Sequence, residues 1–409
     1  MWTERRPPRL GETPRRRTPL AQATGQLPAY YDKPDPDRGA LIKIVALMLG
    51  IALPVVLGFA LWAAVAAQKA RDDAKTAVAG TAAASPAIPG MTHDTSTAAA
   101  GAVASPSYAG TAPENADALA AAHTPYPAAL EAAPAGAVAT VHLTLKDVVH
   151  EVAPGIKYNS WAFAGGAPGP VIHVRQGQTV KITLTNGGAI PHSVDFHAAR
   201  IAPNLAFRDV SPGESFTFSF KAGDAGVFMY HCGTKPVLAH IANGMYGAIV
   251  VDPATPLPKA DRQYVLVSSE WYLNSPGLTS PASFDLAKAH AMSPDWVTWN
   301  GYAGQYVKHP LVANPGETVR FWVVAAGPSF DTDFHVVGTL LNRAWLDGDL
   351  TQYLHNVQTA TVPAGGGGVF DVKIDKPGLY PFVSHSFASV NMGQVGLLKV
   401  GNVPGTMSH

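Results

Sequence analysis

One cysteine, two histidines and a methionine have the spacing of a single metal site. Cys232 begins a loop that also contains His240 and Met245, while His192 lies on a separate upstream segment. Two imidazoles, one thiolate and one thioether are the ligands of a blue-copper electron-transfer site, where the weak axial methionine tunes the potential. A buried free cysteine would explain Cys232 alone, but not the other three residues. The four residues therefore predict a type 1 copper site.

Strand geometry separates a second group of polar side chains from the first. Neighbouring residues on a strand point to opposite faces, so His231 faces away from a metal bound by Cys232. In an extended segment, His197 shares a face with Asp195 and lies opposite His192. His197 and His231 are therefore available for a second metal, with Asp195 nearby. The covalent link between His231 and Cys232 would connect the two metals.

A second metal held by two histidines needs a third ligand. The C-terminal half offers His335, within residues 333–338, and His385, within residues 383–386. Either residue could instead be a core histidine with satisfied hydrogen bonds, and the pattern alone does not choose between them.

Composition narrows the class of protein. The 409 residues include 29 basic and 29 acidic side chains, and a nucleic-acid binder would usually have a basic surplus. We therefore expect no nucleic-acid partner. The single cysteine excludes an intrachain disulfide framework and any site that needs four thiolates.

Short alternating runs predict that strands position these residues. Polar and apolar side chains alternate in residues 141–145, 179–184 and 215–220, and glycine-containing turn signals separate the runs. No convincing long amphipathic helix is evident after the apolar segment at residues 44–67. Short strands at this spacing favour an all-β sandwich or barrel.

The second half of the chain repeats the plan of the first. Residues 174–180 resemble residues 313–319, and in each half a glycine turn leads into a predicted strand that contains a histidine, His231 or His385. We interpret this as a duplication of one β-sandwich, with domains at residues 139–254 and 262–402. Each is long enough to bury a core.

The N-terminal region predicts no folded domain. Residues 1–43 read as a disordered basic tail. Residues 44–67 are apolar and uncharged, and as a helix they would extend about 36 Å, enough to cross the hydrocarbon core as a transmembrane anchor. Residues 68–138 are rich in Ala, Gly, Pro, Ser and Thr, which predicts a flexible linker.

Charge around the apolar segment predicts its orientation. Lys and Arg are more numerous before the segment than after it, which places the N-terminus in the cytoplasm. We therefore expect a single-pass protein of the cell membrane, with the folded domains on the extracytoplasmic side. The alternative is a cleaved signal peptide, because residues 64–66 resemble a cleavage site.

The first histidine motif resembles a known family. Residues 191–199, together with Tyr230-His231-Cys232, resemble copper-containing nitrite reductase, a two-domain cupredoxin relative of the multicopper oxidases. The resemblance extends over residues 140–401. It implies two tandem cupredoxin-like Greek-key β-sandwiches, here preceded by one transmembrane helix and a disordered linker.

The resemblance implies a role for each candidate residue. It implies type 1 copper at His192, Cys232, His240 and Met245, type 2 copper at His197, His231 and His385, and an active-site pair of Asp195 and His335. It also implies a homotrimer with type 2 copper at the subunit interfaces. His385 and His335 would then serve a site on the neighbouring subunit.

The implied activity is one-electron reduction of nitrite to nitric oxide. Electrons from an unidentified donor, such as a small cupredoxin or a cytochrome c, would pass from type 1 copper through Cys232 and His231 to type 2 copper. Asp195 and His335 would supply the protons that the reaction consumes, a role that suits histidine because it titrates near neutral pH.

Other functions remain open at this point. A laccase-like oxidase needs His-x-His pairs, which this chain lacks, and Gly233 follows Cys232 where such oxidases have histidine. Slower oxygen reduction at the type 2 site, as a nitrite-reductase-like multicopper oxidase, stays possible. A membrane-tethered blue-copper electron carrier would use the type 1 site alone and would give His385 no role.

Overall fold

Strands dominate the computed structural model, which describes residues 113–404. The chain is mostly β with short helices, which confirms the predicted sheet-rich fold class. The strands are β1 Val138–Ala153, β2 Ile156–Phe163, β3 Ile172–Arg175, β4 Thr179–Asn186, β5 Asp195–Phe196, β6 Ser215–Lys221, β7 Gly226–His231, β8 Tyr246–Asp252, β9 Arg262–Trp271, β10 Trp296–Trp299, β11 Leu311–Ala313, β12 Thr318–Gly327, β13 Thr332–Val336, β14 Leu341–Leu346, β15 Leu354–Val357, β16 Ala360–Val362, β17 Gly367–Lys373, β18 Gly378–Ser384 and β19 Val395–Val400. The helices are α1 Ala116–Ala122, α2 Pro203–Ala206, α3 Val237–Ala242, α4 Leu286–His290, α5 Gln305–Lys308 and α6 Phe387–Asn391.

The first half forms two four-stranded, cupredoxin-like sheets, in the orders β2-β1-β4-β6 and β3-β8-β7-β5. Alternation along β4 buries Val180, Ile182 and Leu184 while intervening polar residues stay more exposed. These side chains share one apolar cluster with Ile249 and Val251 of the other sheet. The predicted strand runs at 141–145, 179–184 and 215–220 lie within β1, β4 and β6.

The second half forms a six-stranded sheet, β10-β9-β12-β17-β14-β15, and a five-stranded sheet, β11-β19-β18-β13-β16. Aromatic side chains from both sheets fill the core between them. Phe321 of β12 packs against Phe334 of β13 and Phe382 of β18, with ring centroids 5.3 and 5.8 Å away.

The two halves repeat the same ladders. In the first half β1 runs parallel to β4 and β3 runs parallel to β8, and in the second half β9 and β12, then β11 and β19, pair in the same way. The similar runs at 174–180 and 313–319 occupy the equivalent turns between β3 and β4 and between β11 and β12. The repeat in the sequence therefore corresponds to a repeat in the fold.

A third apolar cluster joins the two halves. Met229 of β7 and Tyr246 of β8 pack in it with Trp271, Trp322 and Trp345 from the second half. The hydroxyl of Tyr246 lies in hydrogen-bond contact with Ser269, 2.6 Å away. A large apolar interface of this kind restricts relative motion of the halves. The position of β7 therefore depends on both halves.

Part of the predicted linker is ordered against the body. Leu130 donates its backbone N–H to Gln263 O at 3.0 Å, and Val265 donates to Ala128 O at 2.7 Å, so residues 128–130 pair with the first part of β9. The guanidinium of Arg175 donates to Pro134 O at 2.7 Å. The linker prediction is thus corrected for residues 113–137. Composition did not predict that this segment is ordered, because its order comes largely from backbone hydrogen bonds, which need no large apolar side chains.

The remaining N-terminal predictions fall on residues that the structure does not describe. The basic tail at 1–43, the apolar span at 44–67 and the linker up to residue 112 all lie outside residues 113–404. Within 113–404, no helix is both long enough and apolar enough to cross a bilayer.

A close backbone approach between the halves predicts a stability effect. A Cβ at Gly367 would lie 2.0 Å from Val227 O of β7, whereas a Cβ at Gly223 would have only Lys221 O, at 4.0 Å, within reach. We expect Gly367→Ala to lower the free energy of unfolding by about 1–3 kcal/mol through overpacking. Gly223→Ala, the matched control, should change it by no more than about 1 kcal/mol. Equal effects in urea unfolding would contradict this reading of the interface.

A histidine in the ordered N-terminal segment predicts a pH effect on stability. The ring of His123 stacks on Tyr302 with centroids 3.6 Å apart, and burial, with a smaller contribution from His309, lowers the pKa of His123 to about 4. Because the unfolded chain binds this proton more readily, the contribution of His123 to stability falls as pH drops from about 6.5 to about 4. His123→Phe keeps an aromatic ring and should make the unfolding free energy less steep over this range. An unchanged slope would show that His123 does not contribute to it.

Candidate functional site

Backbone contacts bring the four predicted type 1 ligands together. Cys232 follows the last residue of β7, His240 lies on α3, and Met245 immediately precedes β8. Cys232 donates its N–H to Met245 O at 3.1 Å, which closes the base of the loop. His192 lies between β4 and β5, where backbone hydrogen bonds of 3.2 and 2.8 Å pair it with Val210.

Three donor atoms of this group surround one point. His192 Nδ1 and His240 Nδ1 are 3.1 Å apart, and Cys232 Sγ lies 3.2 Å from His240 Nδ1 and 3.9 Å from His192 Nδ1. A point about 2 Å from all three atoms exists, which is a typical metal–imidazole distance. All three residues are buried, and Met245 is buried in the same apolar cluster as Cys232. The donor set and its spacing fit copper.

Burial keeps these imidazoles neutral. Burial, followed by the proximity of His240, lowers the pKa of His192 to about 4. Burial likewise lowers the pKa of His240. A metal ligand must present a nitrogen lone pair, so both rings are ready to bind at neutral pH without losing a proton first.

A hydrogen-bond network that the motif did not reveal supports the cysteine. Ser193 approaches Cys232 Sγ with its backbone N–H at 3.4 Å, and its hydroxyl accepts from Gly233 N at 3.1 Å. Thr234 Oγ1 lies 3.1 Å from Ser193 Oγ and donates to Asp209 Oδ1 at 2.7 Å. Hydrogen bonding around the cysteine sulfur is one of the factors that set a blue-copper potential. Ser193 follows His192 directly, and this adjacency was the only sequence signal available.

Trp161 packs over both histidines of the first group. Its ring centroid lies 4.8 Å from that of His240 and 5.5 Å from that of His192. The indole is only half-buried, whereas the two imidazoles are buried beneath it. Sequence reasoning missed this residue because β2 is remote from the ligands along the chain.

The second predicted group assembles on the other side of β7. His197 Nε2 and His231 Nε2 are 3.1 Å apart, and Asp195 is the cross-strand partner of His231. The possible ligand atoms of these three residues lie within 4.8 Å of one another. The prediction that Cys232 and His231 serve opposite faces is therefore confirmed.

Two carbonyls fix how the second pair of rings presents its nitrogens. His231 Nδ1 lies 2.9 Å from Cys232 O, and His197 Nδ1 lies 2.9 Å from Gly365 O. A carbonyl only accepts, so each Nδ1 carries the hydrogen and each neutral ring has its lone pair on Nε2. Two lone pairs facing each other at 3.1 Å repel unless a cation lies between them. These residues therefore fit a metal ion.

Electrostatics around His231 favours the neutral ring. Burial is the main cause that lowers its pKa, and His197 acts in the same direction. The carbonyl of Cys232 and the carboxylate of Asp195 oppose this effect. The ring that joins the two groups is thus available as a neutral ligand.

The remaining predicted residues, His335 and His385, form a separate pair. Their ring centroids are 5.3 Å apart, with His335 on β13 and His385 just after β18. His335 Nδ1 donates to Gln358 O at 2.6 Å. His385 is exposed, and neither residue belongs to the metal-binding groups found among residues 113–404 of a single chain.

The chain is similar to proteins of known class. Residues 145–256 match the family model described as multicopper oxidase. The copper-containing nitrite reductase of Neisseria gonorrhoeae is 41% identical over 252 residues, which cover 60% of this chain and 64% of that protein. The chain thus spans somewhat less than two thirds of this curated relative.

Solved structures show the same similarity. The copper nitrite reductase from Nitrosomonas europaea aligns with a TM-score of 0.59 and 35% identity, covering 65% of this chain and 94% of that one. The copper-containing nitrite reductase from Thermus scotoductus aligns with a TM-score of 0.60 and 28% identity, covering 66% of this chain and 65% of that one.

The separation of the two groups predicts that they can be emptied independently. Cys232→Ser removes the thiolate on which blue-copper colour depends, so the copper-loaded variant should lose its intense visible absorption. Its second copper should remain, because His197 and His231 lie on the other face of the sheet. His231→Ala should show the reverse pattern. Copper analysis and electron paramagnetic resonance would contradict the two-group geometry if either variant lost both coppers.

Proposed function

Because the chain belongs to the copper-containing nitrite reductase family, we propose that it is an oxidoreductase that reduces nitrite to nitric oxide. The observation that carries this proposal is the pair of donor groups joined at adjacent residues. Cys232 belongs to a buried sulfur–imidazole group, and His231 belongs to an accessible imidazole–carboxylate group. One group suits electron transfer, and the other suits binding of a small anion.

The donor sets fit type 1 copper at the first group and type 2 copper at the second. Bound copper supplies one-electron redox chemistry at the first group and, at the second, an open position for an anion. His192, Cys232, His240 and Met245 would hold the former, and burial excludes water from them. His197 and His231 would contribute to the latter, with their Nε2 atoms already oriented by carbonyls.

Protons must reach the substrate, because nitrite plus one electron and two protons gives nitric oxide and water. Asp195 is a suitable proton donor, since its carboxylate lies beside the facing nitrogens of His197 and His231. His335 is the second candidate, with Nδ1 committed to Gln358 O and Nε2 left for the substrate side. General acid catalysis by such a pair accelerates a reaction by about 10²–10⁴-fold.

A second copy of the chain is the proposed source of the third ligand. Among residues 113–404 of one chain, the group of His197 and His231 contains no third histidine, while His335 and His385 form a pair of their own. In a closed homotrimer, a heterologous interface would bring the second-half pair of one subunit to the first-half pair of the next. We therefore propose that His385 completes the type 2 site of a neighbouring subunit and that His335 contributes there too.

The cellular setting remains part of the proposal. The apolar, uncharged residues 44–67 support a single membrane anchor, and the charge bias around them supports extracytoplasmic domains. Two Greek-key cupredoxin domains would then stand off the membrane on the Ala- and Pro-rich linker. The electron donor would be a small cupredoxin or a cytochrome c that reaches the half-buried face of Trp161.

The alternative functions explain less of the structure. An electron carrier would need the first group only, and this function does not explain why the Nε2 atoms of His197 and His231 face each other. Oxygen reduction would use the same residues, so only the substrate assay separates it from nitrite reduction.

The proposed activity predicts a direct assay. The copper-loaded protein, supplied with a reductant and nitrite without oxygen, should release nitric oxide at an electrode. His385→Ala should lower the rate by at least about 100-fold, because the type 2 site loses its third ligand. The blue absorbance should remain, because the type 1 site is intact. A blue, fully copper-loaded protein that makes no nitric oxide would refute the proposed nitrite reduction.

A mixing experiment tests whether the site lies between chains. His197→Ala and His385→Ala should each be inactive alone. In trimers assembled at random from both variants, roughly a quarter of interfaces would join an intact His197 to an intact His385. Co-expression should therefore restore about a quarter of wild-type activity. No recovery in mixed trimers of verified composition would show that the residues do not act across an interface.

A further inference from the structure

Asp333 makes a dense set of contacts that the proposed chemistry does not use. It lies two residues before His335 on β13, so both side chains project from the same face of the sheet. One carboxylate oxygen accepts from Thr361 Oγ1 on β16 at 2.7 Å, and the other accepts from Ser386 Oγ at 2.7 Å. The carboxylate therefore spans from one neighbouring strand to the turn beyond the other.

The contacts of Asp333 converge on His385. Its backbone N–H donates to Ser384 Oγ at 3.1 Å, its carbonyl accepts from His385 N at 2.7 Å, and its carboxylate holds Ser386. Three consecutive residues centred on His385 are thus each hydrogen-bonded to one aspartate. The pairing between β13 and β18 ends at Phe334 and Ser384, so the contacts of Asp333 lie just beyond it and hold the turn that follows β18.

These contacts matter because His385 has little else to hold it. Its side chain is exposed, and its ring contacts are edge-to-face with His335 at 5.3 Å and with Phe387 at 4.9 Å. Phe387 is itself exposed. A histidine on a mobile turn binds a metal more weakly than one on a fixed turn, because metal binding then has to order the turn at a cost in conformational entropy.

We propose that Asp333 is a positioning residue that fixes His385 relative to His335, so that both reach the type 2 site of the neighbouring subunit in one arrangement. This proposal rests on the function proposed above. Both carboxylate oxygens of Asp333 are occupied by Thr361 and Ser386, so it acts through Ser386 and the backbone of His385 rather than as a ligand. Removal of such a supporting group typically weakens metal affinity by about 10–100-fold.

The test uses the copper-loaded full chain and four variants. Asp333→Ala should weaken the second copper by about 10–100-fold in a chelator competition followed by the type 2 electron paramagnetic resonance signal. Asp333→Asn, which keeps one carbonyl acceptor, should lie between this variant and wild type. Ser386→Ala removes only the contact on the His385 side, and should also weaken binding. Thr361→Val is the matched control, because it removes the other carboxylate contact and should bind nearly as wild type does.

The readouts separate positioning from general stability. Blue absorbance and the thermal midpoint of unfolding should stay unchanged in both Ser386→Ala and Thr361→Val. Type 2 copper affinity and hyperfine splitting should change only in Ser386→Ala. Wild-type affinity in both Asp333→Ala and Ser386→Ala would overturn the proposal. If Asp333→Ala also loses its blue absorbance, that variant is generally destabilised. The type 2 copper affinity of Ser386→Ala then decides for or against the proposal.

The same samples distinguish this proposal from the proposed function. A wild-type protein that binds its second copper but makes no nitric oxide would refute nitrite reduction, and the affinity series would still decide the role of Asp333. Normal nitric oxide production with unaltered copper affinity in all variants would refute the positioning role alone. A wild-type protein that binds no second copper would overturn both.

Discussion

The end of β7 is the constraint on which the rest of the molecule depends. Two adjacent residues there point to opposite sides of one sheet, so His231 and Cys232 belong to two different donor groups while sharing a peptide bond. The carbonyl of Cys232 also accepts from His231 Nδ1, so the residue that supplies the thiolate orients the neighbouring imidazole as well. The backbone thus links the two groups, although each group has its own side-chain ligands.

The surrounding architecture serves to hold that strand end in place. β8 covers one edge of β7, β5 pairs with its last two residues, and the apolar cluster between the halves packs against its length. The second half takes part directly, because Gly365 O fixes the ring of His197. The second half thus orients His197 of the first half, while its own His335 and His385 form a separate pair. Under the proposed function, these two pairs are the parts of one centre that two neighbouring chains complete.

Much of the site followed from residue types and strand parity. The spacing from Cys232 to Met245 identified the first group, and period-two alternation separated His197 and His231 from it. These inferences succeeded because they depend on local geometry, which a strand fixes within a few residues. The alternating runs in β4 and β6 predicted strands for the same reason.

Contacts between distant segments were beyond this reasoning. Trp161 reaches the first group only because β2 lies beside the ligand loop, and Asp333 meets Thr361 and Ser386 only because β16 and β18 flank β13. The order of residues 128–134 was missed because backbone hydrogen bonds leave little mark on composition. In each case the decisive partner lies far along the chain, and neither periodicity nor residue type specifies which segments will meet.

The central claim is that two chains share one metal centre. A crystal structure of the copper-loaded protein, with copper located by anomalous scattering, tests it most directly. The account predicts one copper within His192, Cys232, His240 and Met245, and another between His197 and His231 of one subunit and a histidine from the second half of its neighbour. A second copper bound by residues of a single chain, or no copper at His197 and His231, would contradict it.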